Sequence, residues 1–256
     1  MSSTGGNVLI TGNSSGLGRG FTKHYLERGW QVYGCSRRGY GGTAADLRDV
    51  RCDLSDFAAI GPALEELLEQ TPHLDLVILN AGILGEINPL TETPVDDIRH
   101  VMDVNVWANK IIMDWLHRWG RPIEQVVMIS SGASVLGNEG WGAYALSKSA
   151  LNMLARLYCH EFPDTHISAI APGLIDSALM DYLCVVPDPE QFPALQRIRD
   201  ARGTDVMPKP REAADRVVQV LPALKEKFTS GSYVDIREIL APQEYEELMR
   251  MRSRRR

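Results

Sequence analysis

The chain has 256 residues, 27 of them basic and 33 acidic for a formal charge of −6, and 44% of it is hydrophobic, a composition that can bury a full core without disulfide staples. Its four cysteines, Cys35, Cys52, Cys159 and Cys184, form no CxxC and no Cys/His pair at ligand spacing, which argues against a structural metal or a disulfide framework and points to a reducing, cytoplasmic compartment. No apolar run nears the roughly 20 residues of a membrane span, and Met1-Ser2-Ser3-Thr4 leads straight into a strand-like run instead of a charged leader.

From the N-terminus, short β-branched runs alternate with longer amphipathic stretches. Val8-Leu9-Ile10 reads as a buried strand, followed by the turn Thr11-Gly12-Asn13-Ser14-Ser15-Gly16-Leu17-Gly18 and a helix over 17–28. A second strand, 31–35, ends at Ser36-Arg37-Arg38, and a further short strand precedes Asp53-Leu54. A helix over 56–70, opened by Ser55 or Asp56, leads to the strand 76–79 and to Asn80-Ala81-Gly82. One long helix is expected over 94–118, then a strand at 126–129 ending at Ser130-Ser131, a helix over 143–161 and a strand at 167–170. Pro172-Gly173-Leu174-Ile175-Asp176-Ser177 follows, and the rhythm breaks over 177–210, where five prolines suggest either a substrate-covering loop or a surface excursion. A helix over 211–225 and the stretch Phe228–Asp235 close a single domain, 1–240. The extension 241–256 reads as helical around Glu244-Tyr245-Glu246-Glu247 and ends in a basic tail, Arg250, Arg252, Arg254, Arg255 and Arg256. On an acidic body that tail reads as a solvated end, so neither nucleic acid nor membrane is expected as a partner. Strands regularly separated by helices form a parallel sheet covered on both faces, an α/β architecture.

Three features carry chemistry. Glycines in a strand–turn–helix context let backbone N–H groups and a helix dipole meet a pyrophosphate. At the end of the second strand, where an acidic residue would bind a ribose 2′-OH, stand Ser36, Arg37 and Arg38, two permanently charged donors suited to a 2′-phosphate. The other reading of the arginines is a solvated pair. Tyr144 and Lys148, four residues apart on a helix, share one face, and a neighbouring ammonium is expected to lower the phenol pKa from its usual value of about 10.

These motifs, in this order, resemble the short-chain dehydrogenase/reductase family over about residues 6 to 236. The resemblance implies a single-domain Rossmann-type, doubly wound sheet and an NADP-dependent enzyme. It implies that Gly12 through Gly18 hold the pyrophosphate, that Ser36, Arg37 and Arg38 select NADP(H), and that Asp53 and Leu54 meet the adenine. Asn80, Ala81 and Gly82 match the family's NAG motif, Gly82 leaving room for the cofactor. Pro172, Gly173, Ile175 and Ser177 match the segment at the nicotinamide. The resemblance gives Tyr144 the role of proton donor and Lys148 that of ribose anchor and pKa modulator. Ser131, 13 residues before Tyr144, takes the carbonyl-orienting role, with Ser134 the other candidate, and Asn105 the water-mediated relay to the lysine. The beginning and end of the chain are similar to sepiapterin reductases and benzil (diketone) reductases. That implies a small carbonyl substrate and gives Asp235 either a substrate contact or a structural strand-end role. Other carbonyls, such as a 3-oxoacyl thioester, a steroid or a sugar, and a non-catalytic NADP-sensing role are the alternatives. Leu84, Trp141, Leu179, Met180 and Tyr182 occupy positions that commonly line the family's substrate pocket. Trp107, Trp115 and Trp119 sit on the helix that pairs subunits in family dimers and tetramers, which implies a homo-oligomer unless they are buried within one subunit.

Overall fold

The computed structural model describes residues 5–185 and 187–253. Seven strands, β1 (Asn7–Thr11), β2 (Gln31–Ser36), β3 (Leu47–Arg51), β4 (Leu74–Leu79), β5 (Ile123–Ile129), β6 (His166–Ala171) and β7 (Ser232–Asp235), form one sheet in the order β3-β2-β1-β4-β5-β6-β7, every pair parallel. The order reverses between β1 and β4, and in such sheets the crevice beyond the strand C-termini at that point receives the ligand. The five strand runs are present, and two edge strands complete the sheet. β3 is half polar and β7 only four residues long, so neither shows the continuous apolar run of a central strand.

Alternation along the strands builds two cores. Leu9, Val77, Leu79, Val126 and Met128 face one layer, formed by α2 (Phe57–Leu68), α4 (Ala108–Trp119) and α6 (Gly142–Tyr158). Val8, Ile10, Ile78, Val127 and Ile170 face the other, formed by α1 (Gly16–Leu26) and α9 (Pro210–Lys227). The Asp56 side chain caps α2 by accepting from Ala58 N at 3.2 Å, and the left-handed Gly120 closes α4. The expected long helix is divided: α3 (Val95–Met102) passes through a π-helical turn, Asp103–Trp107, into α4. Such turns insert one extra residue and re-aim side chains, and this one carries Asn105.

The segment 177–210 is structured. It holds α7 (Ala178–Val185) and α8 (Ala194–Ala201), and Met180, Leu183, Phe192, Leu195 and Ile198 join Leu84, Ile87 and Trp141 in a third apolar cluster beyond the sheet's C-terminal edge. Asp176 anchors its base, accepting from Arg202 at 3.1 Å and from Lys209. Short helices α5 (Ala133–Leu136) and α10 (Arg237–Leu240), with α11 (Pro242–Ser253), complete the chain. In α11 Arg250 pairs with Glu246 at 3.3 Å; tail residues 254–256 lie outside the described residues. Among the described residues no helix is long and apolar enough to cross a membrane, and no His/Cys/Asp/Glu cluster could hold a metal.

Candidate active site

A groove of about 340 Å³ runs across the C-terminal ends of β1, β2 and β4. Gly12, Ser14, Ser15, Gly16 and Leu17 form its floor, Ser36, Arg37, Arg38, Asp53 and Leu54 one end, and Asn80, Ala81, Gly82 and Ser177 the other. The turn is held by Thr11, whose buried Oγ1 accepts from the backbone N–H groups of Asn80 at 3.0 Å and Ala81 at 3.1 Å. Asn80 returns its amide to the Thr11 carbonyl at 3.0 Å, so it ties β4 to the glycine turn as well as lining the groove. Gly12 and Gly16 have φ of +69° and +51°, backbone conformations that side chains disfavour.

Two turn residues lie off the groove. Gly18 packs α1 onto the turn: a Cβ there would come within 2.3 Å of the Gly12 carbonyl oxygen. Asn13 is fully buried and donates to Asp49 on β3 at 2.7 Å, filling space left by Gly34, whose Cβ would collide with it. Asp49 also accepts from Tyr40 N at 2.7 Å, so one carboxylate joins the glycine turn to the loop after Arg38. Cys52 after β3, Ile83 after β4, His100 on α3 and Val104 on the π turn line the groove too; their positions carry no motif, and only the packing of these elements beside the groove reveals them. Asp53 uses one carboxylate oxygen to accept from the backbone N (3.0 Å) and hydroxyl (2.9 Å) of Ser55, which hold its pKa below the usual value.

Beside the groove stand the proton-transfer residues. α6 places Tyr144 and Lys148 on one stripe, with Lys148 Nζ 5.6 Å from the centre of the Tyr144 ring. Lys148 is buried and donates to the Ile129 carbonyl at 2.7 Å. A Cβ on Gly82 would lie 3.3 Å from that Nζ and 3.1 Å from Asn105 Oδ1, so the bare glycine keeps room for these two side chains at the groove wall. The expected lowering of the phenol pKa is not what the fold produces: burial pushes Tyr144 up to about 12 against a hydrogen bond from Ser131, and burial brings Lys148 down to about 8. At neutral pH the site holds a phenol and an ammonium.

Ser131 Oγ accepts from Ala133 N at 3.1 Å, which leaves its O–H for the hydrogen bond to the Tyr144 phenol. The neighbouring serines are occupied: Ser130 donates to Asn152 Oδ1 at 2.6 Å, Asn152 donates to Ser134 Oγ at 2.9 Å, and Ser134 donates to the Ser131 carbonyl at 2.6 Å. Asn152 thus pins the Ser130–Ser134 loop to the helix that carries Tyr144. It lies eight residues after Tyr144 and four after Lys148, a same-face spacing legible in the sequence once that helix is assigned. Asn105 is fully buried, accepting from Ile83 N and donating to Ile83 O, both at 2.8 Å, and donating to Ser147 at 2.9 Å. Its backbone carbonyl accepts from Asn109 at 2.8 Å.

At the far end, Gly173 has φ of +84° and Ile175 buries its side chain in the core with α1 and α9. Pro172, Gly173 and Ile175 do not line the groove. Leu84, Leu179 and Tyr182 line a second, adjoining cavity of about 350 Å³ with Ile83, Glu86 and Ala178. Trp141 and Met180 sit instead in the third apolar cluster, against which Tyr144 packs. Asp235 is buried but faces neither cavity; its carboxylate is taken by Arg237 Nε at 2.8 Å and Nη2 at 2.5 Å. That pair favours the structural reading of the strand end.

A switch-point groove over a glycine turn, flanked by Ser, Tyr and Lys, defines a dinucleotide-dependent oxidoreductase site. Residues 6–184 match the short chain dehydrogenase family model, and the chain belongs to that family, whose members use NAD or NADP. It is 28% identical over 236 residues to the benzil reductase ((S)-benzoin forming) of Saccharomyces cerevisiae, covering 84% of this chain and 89% of the relative. Its identity to the Bacillus subtilis protein of the same description is 26% over 244 residues, covering 91% and 98%. In fold it matches the crystal structure of KRED1-Pglu enzyme with a TM-score of 0.77 at 23% identity, covering 90% of this chain and all of the other.

Proposed function

We propose that the protein is an NADPH-dependent reductase of small, largely apolar ketones or 1,2-dicarbonyls. The observation that carries this reading is the setting of Tyr144: a phenol kept protonated by burial, on one helical stripe with Lys148 and hydrogen-bonded to the Ser131 hydroxyl. When bound, NADPH supplies the hydride. Tyr144 gives its proton to the oxygen that gains negative charge, Ser131 polarises that oxygen, and the Lys148 ammonium stabilises the phenolate left behind. The cavity lined by Leu84, Leu179 and Tyr182 offers hydrocarbon walls for the flanks of such a substrate.

The cofactor preference rests on Ser36, Arg37 and Arg38 at the groove end. The Ser36 hydroxyl is buried without a partner among the described residues, which suits an acceptor-rich group between two guanidiniums. The four free thiols suit a reducing cytoplasm. Trp107, Leu146, Met153 and Leu157 expose apolar surface on or beside α4 and α6, which supports a homodimer or homotetramer built on these helices. Trp115 and Trp119 stack on each other and pack against the first core.

The test is initial-rate NADPH oxidation by the purified chain with benzil, other 1,2-diketones, sepiapterin, a 3-oxoacyl thioester, steroid ketones and keto sugars. Tyr144→Phe is expected to lower turnover on the accepted substrates by about 10²–10⁴-fold with NADPH binding intact. Turnover that survives this substitution refutes the proton-donor assignment, and silence across the panel with NADPH bound favours the sensing alternative.

A further inference from the structure

Two of the four cysteines meet where β2 and β3 end. Cys35 lies on β2 opposite Val50 of β3, and Cys52 is the first residue after β3, its backbone N–H donating to the Ser36 carbonyl at 3.1 Å. Both side chains turn into the core layer that holds Leu9 and Leu54, and the two thiols are hydrogen-bonded to each other. They differ in access. Cys35 is sealed in the core, whereas Cys52 lines the groove at the end that carries Arg37, Arg38 and Asp53. The hydrogen bond from Cys35 lowers the pKa of the Cys52 thiol, and the same bond together with burial raises that of Cys35. A thiol inclined to the thiolate form at an opening, with a second thiol in contact behind it, is the arrangement in which oxidation ends at a disulfide. Cys159 and Cys184 line neither cavity, and the Cys159 thiol donates to the Arg156 carbonyl at 3.1 Å.

We propose that Cys35 and Cys52 form a peroxide-sensitive dithiol at the groove, oxidised to a disulfide when the groove is open and shielded when a dinucleotide fills it. The Cys52 thiolate attacks one oxygen of hydrogen peroxide, the O–O bond breaks, and the departing hydroxide takes up a proton as water, leaving a sulfenic acid. The Cys35 sulfur then attacks the Cys52 sulfur; the S–S bond forms, the S–O bond breaks, and the second hydroxide leaves as water with the Cys35 proton. Two thiols have lost two electrons and one peroxide has gained them. A covalent bond holds two sulfurs closer than a hydrogen bond does, so closure draws Cys52 off the groove wall toward β2. Its neighbour Asp53, and Ser36 and Arg37 beyond Cys35, line that same wall, so the oxidised protein binds NADPH weakly and a thiol reductant restores it. The proposal rests on the groove being the dinucleotide site.

The experiment treats the purified chain with hydrogen peroxide, with and without saturating NADP+, and reads the products by tryptic mass spectrometry, thiol titration and NADPH fluorescence. The peptides bearing Cys35 and Cys52 are expected to be joined and the free thiols to fall from four to two. The Kd for NADPH is expected to rise about tenfold or more, the loss of one or two charge-assisted contacts, and dithiothreitol to reverse all three changes. Bound NADP+ is expected to slow the linkage about tenfold or more, because only the open fraction reacts. In Cys35→Ala the link cannot form, and Cys52 is expected to gain oxygen and proceed to sulfinic acid. Four intact thiols after peroxide, or oxygen added to wild-type Cys52 without a link, would overturn the proposal. So would a link that leaves the Kd for NADPH unchanged or forms as fast with NADP+ bound. Untreated protein that binds neither NADPH nor NADH would overturn the groove reading, and the shielding with it.

Discussion

Tyr144 and Lys148 take opposite shifts from one cause. Burial disfavours whichever form is charged, so the phenol stays protonated up to about pH 12 and the ammonium loses its proton near 8. For reduction the phenol is the useful form, available at every working pH, and the titrating partner is Lys148. Its charge is present below about pH 8 and is lost above it. The pH profile of kcat/KM in the reductive direction is therefore expected to be flat on the acid side and to fall as pH rises through about 8, with the falling limb absent in Lys148→Met. At the other end of the groove, replacing Arg37 and Arg38 with Ala is expected to raise KM for NADPH by about tenfold or more while moving KM for NADH little, since each charge-assisted bond to a phosphate contributes roughly 1.5–3 kcal/mol. Equal changes for both dinucleotides would mean that the guanidiniums do not read the 2′ position. Tyr144, Lys148, Arg37 and Arg38 are all legible in the sequence by spacing; the direction of the phenol's shift is not, because it depends on burial by residues 30 or more positions away in α7 and α8.

At the scale of elements, the site depends on fixing the loop after β5 against α6. Ser130, Asn152 and Ser134 form a continuous hydrogen-bond path between them, and the Tyr233 hydroxyl on β7 adds a bond to the Ser131 carbonyl at 3.3 Å. Asn152→Ala removes the middle of that path. It is expected to lower kcat by about ten- to a hundredfold through misplacement of Ser131, with the Kd for NADPH unchanged because neither Asn152 nor the serines it holds line the groove. Steady-state kinetics with a dinucleotide titration checks this, and a loss confined to binding would contradict it. The division of the expected long helix by a π turn belongs to this scale too. Nothing in the periodicity of 94–118 marks the extra residue; the turn is held by Asn105, which bonds both backbone groups of Ile83, a partner far away in sequence. Likewise five prolines over 177–210 indicate where a helical rhythm stops, yet two short helices form there because α7 and α8 can bury Met180, Leu183, Leu195 and Ile198 on a surface supplied by Leu84, Ile87 and Trp141.

For the whole molecule, a one-domain sheet with a core on each face leaves large apolar side chains exposed, among them Trp107 on the π turn and Leu146, Met153 and Leu157 on α6, each about half exposed. If subunits pair there, changing Met153 and Leu157 together to Glu should shift the molar mass measured by light scattering to that of the monomer, 28.4 kDa; a wild type already monomeric would remove this surface from consideration. The sequence alone determined the parallel α/β class, the position of the dinucleotide turn and the order of the proton-transfer residues, because strand hydrophobicity, glycine placement and helical spacing are local properties of the chain. Tertiary structure decided what those residues do to one another: that Asn13 turns inward to Asp49, that Asp235 is taken by Arg237, and that Asn152 pins the loop carrying Ser131. Each of these depends on burial and on partners brought together from distant strands, and no local pattern encodes a partner's position.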